Sequence, residues 1–215
     1  MMNHEPLRKL FEMAGGSDRF YGVVMGIVTN NNDPDKMHRI KVKFPWLTED
    51  HESNWARVAT PMAGNDRGVY YLPEVDDEVL VAFEHGLIDQ PYVIGSLWNG
   101  KDTPPESNQN GENNHRTFKS RSGHVIRFND KNGQESVEII DKTGNNKIVI
   151  DSAKNTVTIE ANSDINITST TGKLTISAVG IELKSKAEVL IEATSNMDLK
   201  ANAQVSVNGA LIKLN

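Results

Sequence analysis

The sequence predicts an all-β chain in two parts, a small closed barrel and then a long strand repeat that several copies of the chain complete together. Three observations predict it. The last third, Asn155 to Asn215, repeats pairs of apolar residues separated by one residue. Five short strand patterns fall within the first hundred residues with no long helix between them. Prolines stop at Pro105 and aromatic residues at Phe128, so the repeat holds neither.

The repeat sets the architecture. Its pairs are Val157/Ile159, Ile165/Ile167, Leu174/Ile176, Ile181/Leu183, Val189/Ile191, Met197/Leu199, Val205/Val207 and Ile212/Leu214, with first members 8, 9, 7, 8, 8, 8 and 7 residues apart. Asn, Ser, Thr, Asp, Lys and Gly fill the gaps. Apolar–polar–apolar places both apolar side chains on one face of a strand. Each octad is thus a short strand and a polar corner, and a lone strand of this kind cannot bury its apolar face. A single chain coiled on itself would use about 24 residues per three-sided turn, and too few turns result for a stable solenoid. Three chains around one axis give the simplest closed prism, an intertwined homotrimeric triple-stranded β-helix with the pairs Val157 to Val207 as its core. A narrow axis admits Val, Ile, Leu and Met, and proline would remove ladder donors. At one octad per ~4.8 Å layer the rod is on the order of 40 Å long. An antiparallel meander is the competing arrangement, but meanders rarely keep an eight-residue period through so many strands.

The elements then follow in order. Residues 1–20 form an N-terminal helical segment, with Leu7, Leu10, Phe11 and Ala14 at helical spacing and Gly15-Gly16 ending the pattern. Residues 21–98 supply strands at Tyr21–Thr29, Arg39–Phe44, Trp55–Thr60, Val79–Glu84 and Tyr92–Trp98, which fit a five-stranded barrel of the OB type. Residues 99–118 are a polar linker with Pro104-Pro105. Residues 119–154 carry the looser pairs Ile126/Phe128, Val137/Ile139 and Ile148/Ile150 with turns at Gly133 and Gly144-Asn145, a collar on which the shaft of residues 155–215 begins.

Composition narrows the function. The net charge is −6, and three copies triple it, which argues against a nucleic-acid partner. Cysteine is absent, so disulfides and thiolate metal sites are excluded. No stretch has the apolar length of a membrane span. Glu5, Arg8, Lys9 and Glu12 interrupt any secretory leader, so assembly in the cytoplasm is expected. None of the histidines, His4, His38, His51, His85, His115 and His124, stands in an HxH or HxxxH pair. Acidic pairs such as Asp76-Asp77 and Glu49-Asp50 fall in turns, where local hydrogen bonding favours these residues. No catalytic, cofactor-binding or metal-binding residue is therefore assigned, and no cofactor is expected.

One resemblance adds to this reading. The segment Gly68-Val69-Tyr70-Tyr71-Leu72-Pro73-Glu74-Val75-Asp76-Asp77-Glu78-Val79-Leu80-Val81-Ala82-Phe83, then His85-Gly86 and Gln90-Pro91-Tyr92-Val93-Ile94-Gly95-Ser96-Leu97-Trp98, resembles the barrel signature of phage baseplate (gpV-like) and VgrG-type spikes. Asp76 stands where that pattern commonly has glycine, so a different turn is expected there. Ser122-Gly123-His124-Val125-Ile126-Arg127-Phe128-Asn129-Asp130 resembles the segment by which such spikes enter their β-helix. The resemblance runs from about residue 20 onward. It implies a homotrimeric membrane-puncturing spike on a contractile injection machine. Its partners would be a baseplate hub protein at the OB end, a PAAR-type tip protein at the other, and transiently the target membrane. Leu211, Ile212, Lys213, Leu214 and Asn215, ending in an apolar pair without a charged cap, would dock the tip protein. The His-x-His pair that binds iron at the tip of some relatives is missing, and a twenty-residue linker leaves no room for the lysozyme-like insert of others. A trimeric adhesin and a small trimeric glycan-degrading enzyme remain alternatives. The first expects aromatics along the shaft, the second clustered carboxylates there.

Overall fold

A computed structural model describes residues 19–47 and 51–213. The helix expected over residues 4–14 lies outside the described residues. The chain divides into two units, Met1–Ser163 and Asp164–Asn215.

The first unit opens with the barrel. Strands β1 (Val24–Asn30), β2 (Arg39–Lys43), β3 (Ala56–Val58), β6 (Glu78–Phe83) and β7 (Pro91–Leu97) close in the order β1-β2-β3-β7-β6. All neighbours are antiparallel except β3 and β7, which run parallel through Arg57↔Tyr92 and Val58↔Val93. Alternation sends every second residue inward: Val28, Ile40, Val42, Phe44, Ala56, Val79 and Val81 are fully buried. Phe44 and Phe20 meet Phe83 edge-on, at 5.6 and 6.0 Å between ring centres, and close one end of the core. All five expected strands are present. A small hairpin of β4 (Ala63–Gly64) and β5 (Arg67–Gly68) lies in the long β3–β6 connection.

The turn before β6 carries the departure from the family pattern. Asp76 adopts φ +77°, the left-handed conformation that glycine takes most readily. Its N–H donates to the Val28 carbonyl at 2.9 Å, and Val28 N–H donates to the Asp77 carbonyl at 3.0 Å. The turn is therefore built with an aspartate in left-handed geometry rather than avoided.

Residues 115–160 form a second sheet, an antiparallel meander of β8 (His115–Lys119), β9 (Val125–Asn129), β10 (Ser136–Ile140), β11 (Lys147–Asp151) and β12 (Thr156–Glu160). Gly133 and Gly144, with φ +75° and +76°, sit in two of its turns, as the sequence requires. Two boundaries differ from the sequence reading. β8 begins inside the segment read as linker. Val157 and Ile159, read as the first shaft octad, pair across β12 with Ile150 and Ile148 of β11. The return is made by the tight turn after Asp151, whose carboxylate accepts Lys154 N–H at 2.9 Å, with Asn155 left-handed at φ +55°. The hairpin step from Ile148/Ile150 to Val157/Ile159 is 9 residues, a spacing that also occurs once within the repeat, so a hairpin return fits the pattern as well as a shaft corner does.

Over residues 164–213 the second unit forms no strand ladder of its own. It bends near residues 171, 179, 186, 194, 202 and 210, between successive apolar pairs.

Candidate functional site

The residues that the repeat singles out are apolar and exposed. The sequence expects a dry core along the octads, and none forms among the described residues of the single chain. Ile165 and Ile167 are exposed, as are Leu174 and Ile176, Ile181 and Leu183, Val189 and Ile191, Met197 and Leu199, and Val205 and Val207. Their exposure runs from 47% at Met197 to 75% at Leu183, with Ile167, Ile191 and Leu199 at 70%, 62% and 73%. The physical reason is that no sheet among the described residues takes in residues 164–213, so nothing packs against the paired side chains. Val157 and Ile159 differ in having a ladder partner in β11, yet their side chains are exposed too. Scattered apolar residues are ordinary on a surface; a regular series of paired Val, Ile and Leu is not. Leu211, Ile212 and Lys213 are exposed as well, while Leu214 and Asn215 lie outside the described residues.

The meander sheet also exposes an apolar face. Cross-strand register stacks Phe118, Ile126, Ile139, Ile148 and Ile159 in one column and Arg116, Phe128, Val137, Ile150 and Val157 in the next, all on one face. That face is the open one. Val137 is half-buried, and the other apolar members run from 41% exposed at Ile148 to 68% at Val157. The opposite, polar face is half-covered by the chain's own linker. Glu106 accepts hydrogen bonds from Thr117 Oγ1 at 2.8 Å and Arg127 Nε at 3.0 Å, and lies 3.2 Å from His115 Nδ1. The Thr117 hydroxyl above all, with His115 and Arg127, holds the Glu106 carboxyl below its ordinary pKa against an opposing effect of burial. Arg127 also reaches Glu138 at 3.5 Å.

Within the same unit an open cleft of about 1530 Å³ lies along this face. Tyr70, Tyr71 and Trp98 of the barrel segment and Phe118 of β8 line it, all more than half exposed. Tyr71 stacks on Phe118 with ring centres 6.4 Å apart and planes 16° apart. Sequence reasoning missed this cluster. Its signal was the adjacent pair Tyr70-Tyr71 in a stretch too irregular to bury both rings.

The groups weighed for chemistry are dispersed. His38 packs on Tyr70 at 4.6 Å, His85 occupies a left-handed turn, and His124 Nδ1 accepts Lys142 N–H at 3.2 Å. Among the described residues no three His, Asp or Glu side chains gather where a metal could be held. Asp77 caps its own turn by accepting Glu74 N–H at 2.8 Å, and Glu49-Asp50 lies outside the described residues. Asp33, by contrast, is a structural carboxylate whose side chain is 5% exposed. Arg39 donates to both its oxygens at 2.9 and 2.7 Å and Met37 N–H donates at 2.9 Å, tying the β1–β2 loop to the barrel. The Arg39 hydrogen bonds in the first place hold the Asp33 carboxyl far below the usual carboxylate range.

Comparison with known proteins adds a family to this geometry. Residues 24–98, the whole barrel, match the type VI secretion system/phage-baseplate injector OB domain. The type VI secretion system spike protein VgrG3 of Vibrio cholerae serotype O1 is 37% identical over 75 residues, covering 33% of this chain and 7% of that protein. VgrG1a of Pseudomonas aeruginosa is 32% identical over 122 residues, covering 49% of this chain and 18% of its own length. A further relative, 35% identical over 75 residues, is named as the actin cross-linking toxin VgrG1 of Vibrio cholerae serotype O1. The chain thus spans at most 18% of the length of these relatives. Residues 24–98 thus match an injector OB domain, and the chain resembles the VgrG-type spikes of contractile injection systems.

Proposed function

We propose that this chain is a homotrimeric structural spike of a contractile injection machine, with the barrel as its base and a triple-stranded β-helix as its shaft. The observation that carries the reading is the octad series. Ile165 to Val207 present paired apolar side chains to solvent, the backbone bends once per octad, and no ladder among the described residues uses its N–H and C=O groups. Three such chains wound together pair every backbone group and dry every apolar pair. The shaft core in this reading starts at Ile165, because Val157 and Ile159 already belong to the sheet.

The work such a spike does is mechanical. Sheath contraction drives it, and the shaft transmits load to the target envelope. Intertwined strands cannot fray one chain at a time, so separation of the chains limits unfolding. The barrel seats the spike on a hub ring, and Leu211 to Asn215 carry a tip protein. The spike assembles in the cytoplasm and acts at the envelope of the target cell. No bond-making step is assigned to it, and the toxin named among the relatives matches over 7% of its length.

Light scattering tests the reading directly. The expected mass is three times 23.8 kDa, stable to dilution. A folded single chain of 23.8 kDa at micromolar concentration overturns it. Deleting Ile212 to Asn215 is expected to leave the trimer intact and abolish retention of a PAAR-type tip protein, and unchanged retention removes that assignment.

A further inference from the structure

We propose that the aromatic cleft beside the β8–β12 sheet is a binding site for an extended glycan, whose pyranose rings lie on Tyr70, Tyr71, Trp98 and Phe118. The site belongs to a single chain and does not depend on the trimer proposed above.

Rings from separate stretches of chain meet there. Tyr70 and Tyr71 come from the β3–β6 connection, Trp98 follows β7, and Phe118 belongs to β8. All of them are more than half exposed. A single exposed ring is ordinary, but several on one concave surface leave a large apolar area in water. The same chain buries Phe44 and Phe83 in the barrel, so it does not lack room for rings inside. The cleft is also organised before any ligand arrives. The planes of Tyr71 and Phe118 lie 16° apart, and His38 packs on Tyr70 with ring centres 4.6 Å apart. Rings already held in place lose little further freedom on binding. The cleft volume of about 1530 Å³ exceeds the roughly 300–1,000 Å³ of a site for one small molecule, so an extended ligand is needed to fill it.

The polar groups among the rings select a sugar as the ligand. Tyr70, Tyr71 and Trp98 each carry a polar tip beside an apolar face. Arg121 and Glu74 also line the cleft, and Arg121 Nη1 donates to Glu74 Oε1 at 3.0 Å. Their side chains are 82% and 52% exposed. An exposed ion pair is weak in water, so exchanging it for a ligand opposes binding little. A sugar hydroxyl both donates and accepts, so it answers the guanidinium and the carboxylate alike while the C–H face of its ring lies on an aromatic. Pyranoses joined by β-1,4 links with all substituents equatorial present such faces on successive rings. A proline-rich peptide also stacks on aromatic rings, but its prolines offer only carbonyl acceptors and leave Glu74 without a donor. A nucleic acid would bring its phosphates against Glu74 in a chain of net charge −6.

Titration of the full-length protein with the hexamer of β-1,4-linked N-acetylglucosamine tests the site. The wild-type chain is expected to bind it, and Tyr71→Ala and Trp98→Ala are each expected to weaken binding at least about tenfold. Tyr71→Phe keeps the ring and is expected to stay within about threefold of wild type. Tyr21→Ala removes an exposed ring outside the cleft and is expected to change nothing. Arg121→Ala alters an exposed side chain far from any core, and its expected loss of about threefold keeps the test open if an aromatic variant fails to fold. Absence of binding by the wild-type protein at millimolar hexamer overturns the inference, whatever mass light scattering gives, and leaves the homotrimeric reading to its own test. Full affinity in both Tyr71→Ala and Trp98→Ala places any binding elsewhere and overturns it as well. A polyproline peptide that binds where the hexamer does not assigns the cleft to a protein partner and overturns it too.

Discussion

The barrel and the meander sheet use the same alternation and point it in opposite directions. In β2 and β6 the apolar residues Ile40, Val42, Val79 and Val81 are fully buried and their neighbours face outward. In β9 and β11 the apolar residues Ile126, Phe128, Ile148 and Ile150 face outward and the residues between and beside them are half-covered. Strand periodicity therefore fixes which residues share a face but not which face is inside. The barrel encloses its own interior because five strands close on themselves. The open five-stranded meander does not, and its apolar face stays exposed. An apolar side chain left in water forgoes about 1.5–3 kcal/mol of burial, so the two sheets draw very different stability from the same alternation.

The sharpest break of this comparison is a buried charge placed in each region. Val81→Asp puts a carboxylate into a closed core with no partner, and is expected to unfold the barrel at every protein concentration, a loss of at least about 4 kcal/mol. Intrinsic fluorescence of Trp46 and Trp55 reads it. Ile176→Asp is expected to leave that fluorescence transition in place and abolish the trimeric mass. A barrel that melts with Ile176→Asp, or a trimer that survives it, would show that the two regions do not draw on separate interiors. Phe44→Ala follows in size. Phe44 is fully buried and packs against Phe83, so about 3–5 kcal/mol of barrel stability is expected to go, independent of chain concentration. Thermal melts at two concentrations check that independence.

How much of this was legible in the sequence follows from the same contrast. The five barrel strands were readable because alternation and turn residues agreed, as at Arg39–Lys43 against the expected Arg39–Phe44. The β4–β5 hairpin was not, since two residues per strand leave no period to see. β8 was hidden because its face-sharing residues are Phe118 and Arg116, and an arginine breaks the apolar pattern. The start of the shaft was misplaced because a hairpin return at Lys154-Asn155 and a shaft corner both fit the repeat spacing. Along the octads, pairs such as Val189/Ile191 and Met197/Leu199 tell which side chains share a side, and these side chains are exposed in one chain. The aromatic cleft escaped notice because Tyr71 and Phe118 are far apart in sequence and meet only when the β3–β6 connection reaches the sheet. Pairing between neighbouring strands leaves a periodic trace; the contact of Tyr71 with Phe118 leaves only the adjacent pair Tyr70-Tyr71.

A smaller effect tests the pH dependence that an enclosed carboxylate gives the barrel and not the open face. The folded-state pKa of Asp33 lies below its unfolded value of about 3.9. Its stabilising contribution is therefore complete above about pH 4 and lost as pH falls through the folded value. Asp33→Asn removes the ion pair with Arg39, so wild-type and variant barrels are expected to differ most from pH 4 upward and converge in stronger acid. A difference that grew on acidification would reverse the sign and refute the assignment. The octad pairs, which hold no such carboxylate, are expected to keep their assembled mass across the same range.

The smallest effect concerns the turn where this chain departs from the family pattern. A non-glycine residue in the left-handed region costs about 1 kcal/mol or more, and aspartate tolerates it better than most. Asp76 accepts that strain at φ +77° because its N–H and the neighbouring Val28 N–H and C=O lock β1 to the turn before β6. Asp76→Gly relieves the strain but frees the unfolded chain, so a net gain of about 0.5 kcal/mol is expected. The gain would appear in the barrel melt and not in trimer dissociation, because the hydrogen bonds it supports close the barrel. A loss of stability on this substitution would mean that the Asp76 side chain, rather than the left-handed backbone, holds the turn, and aspartate would then be a requirement of this barrel instead of a tolerated replacement.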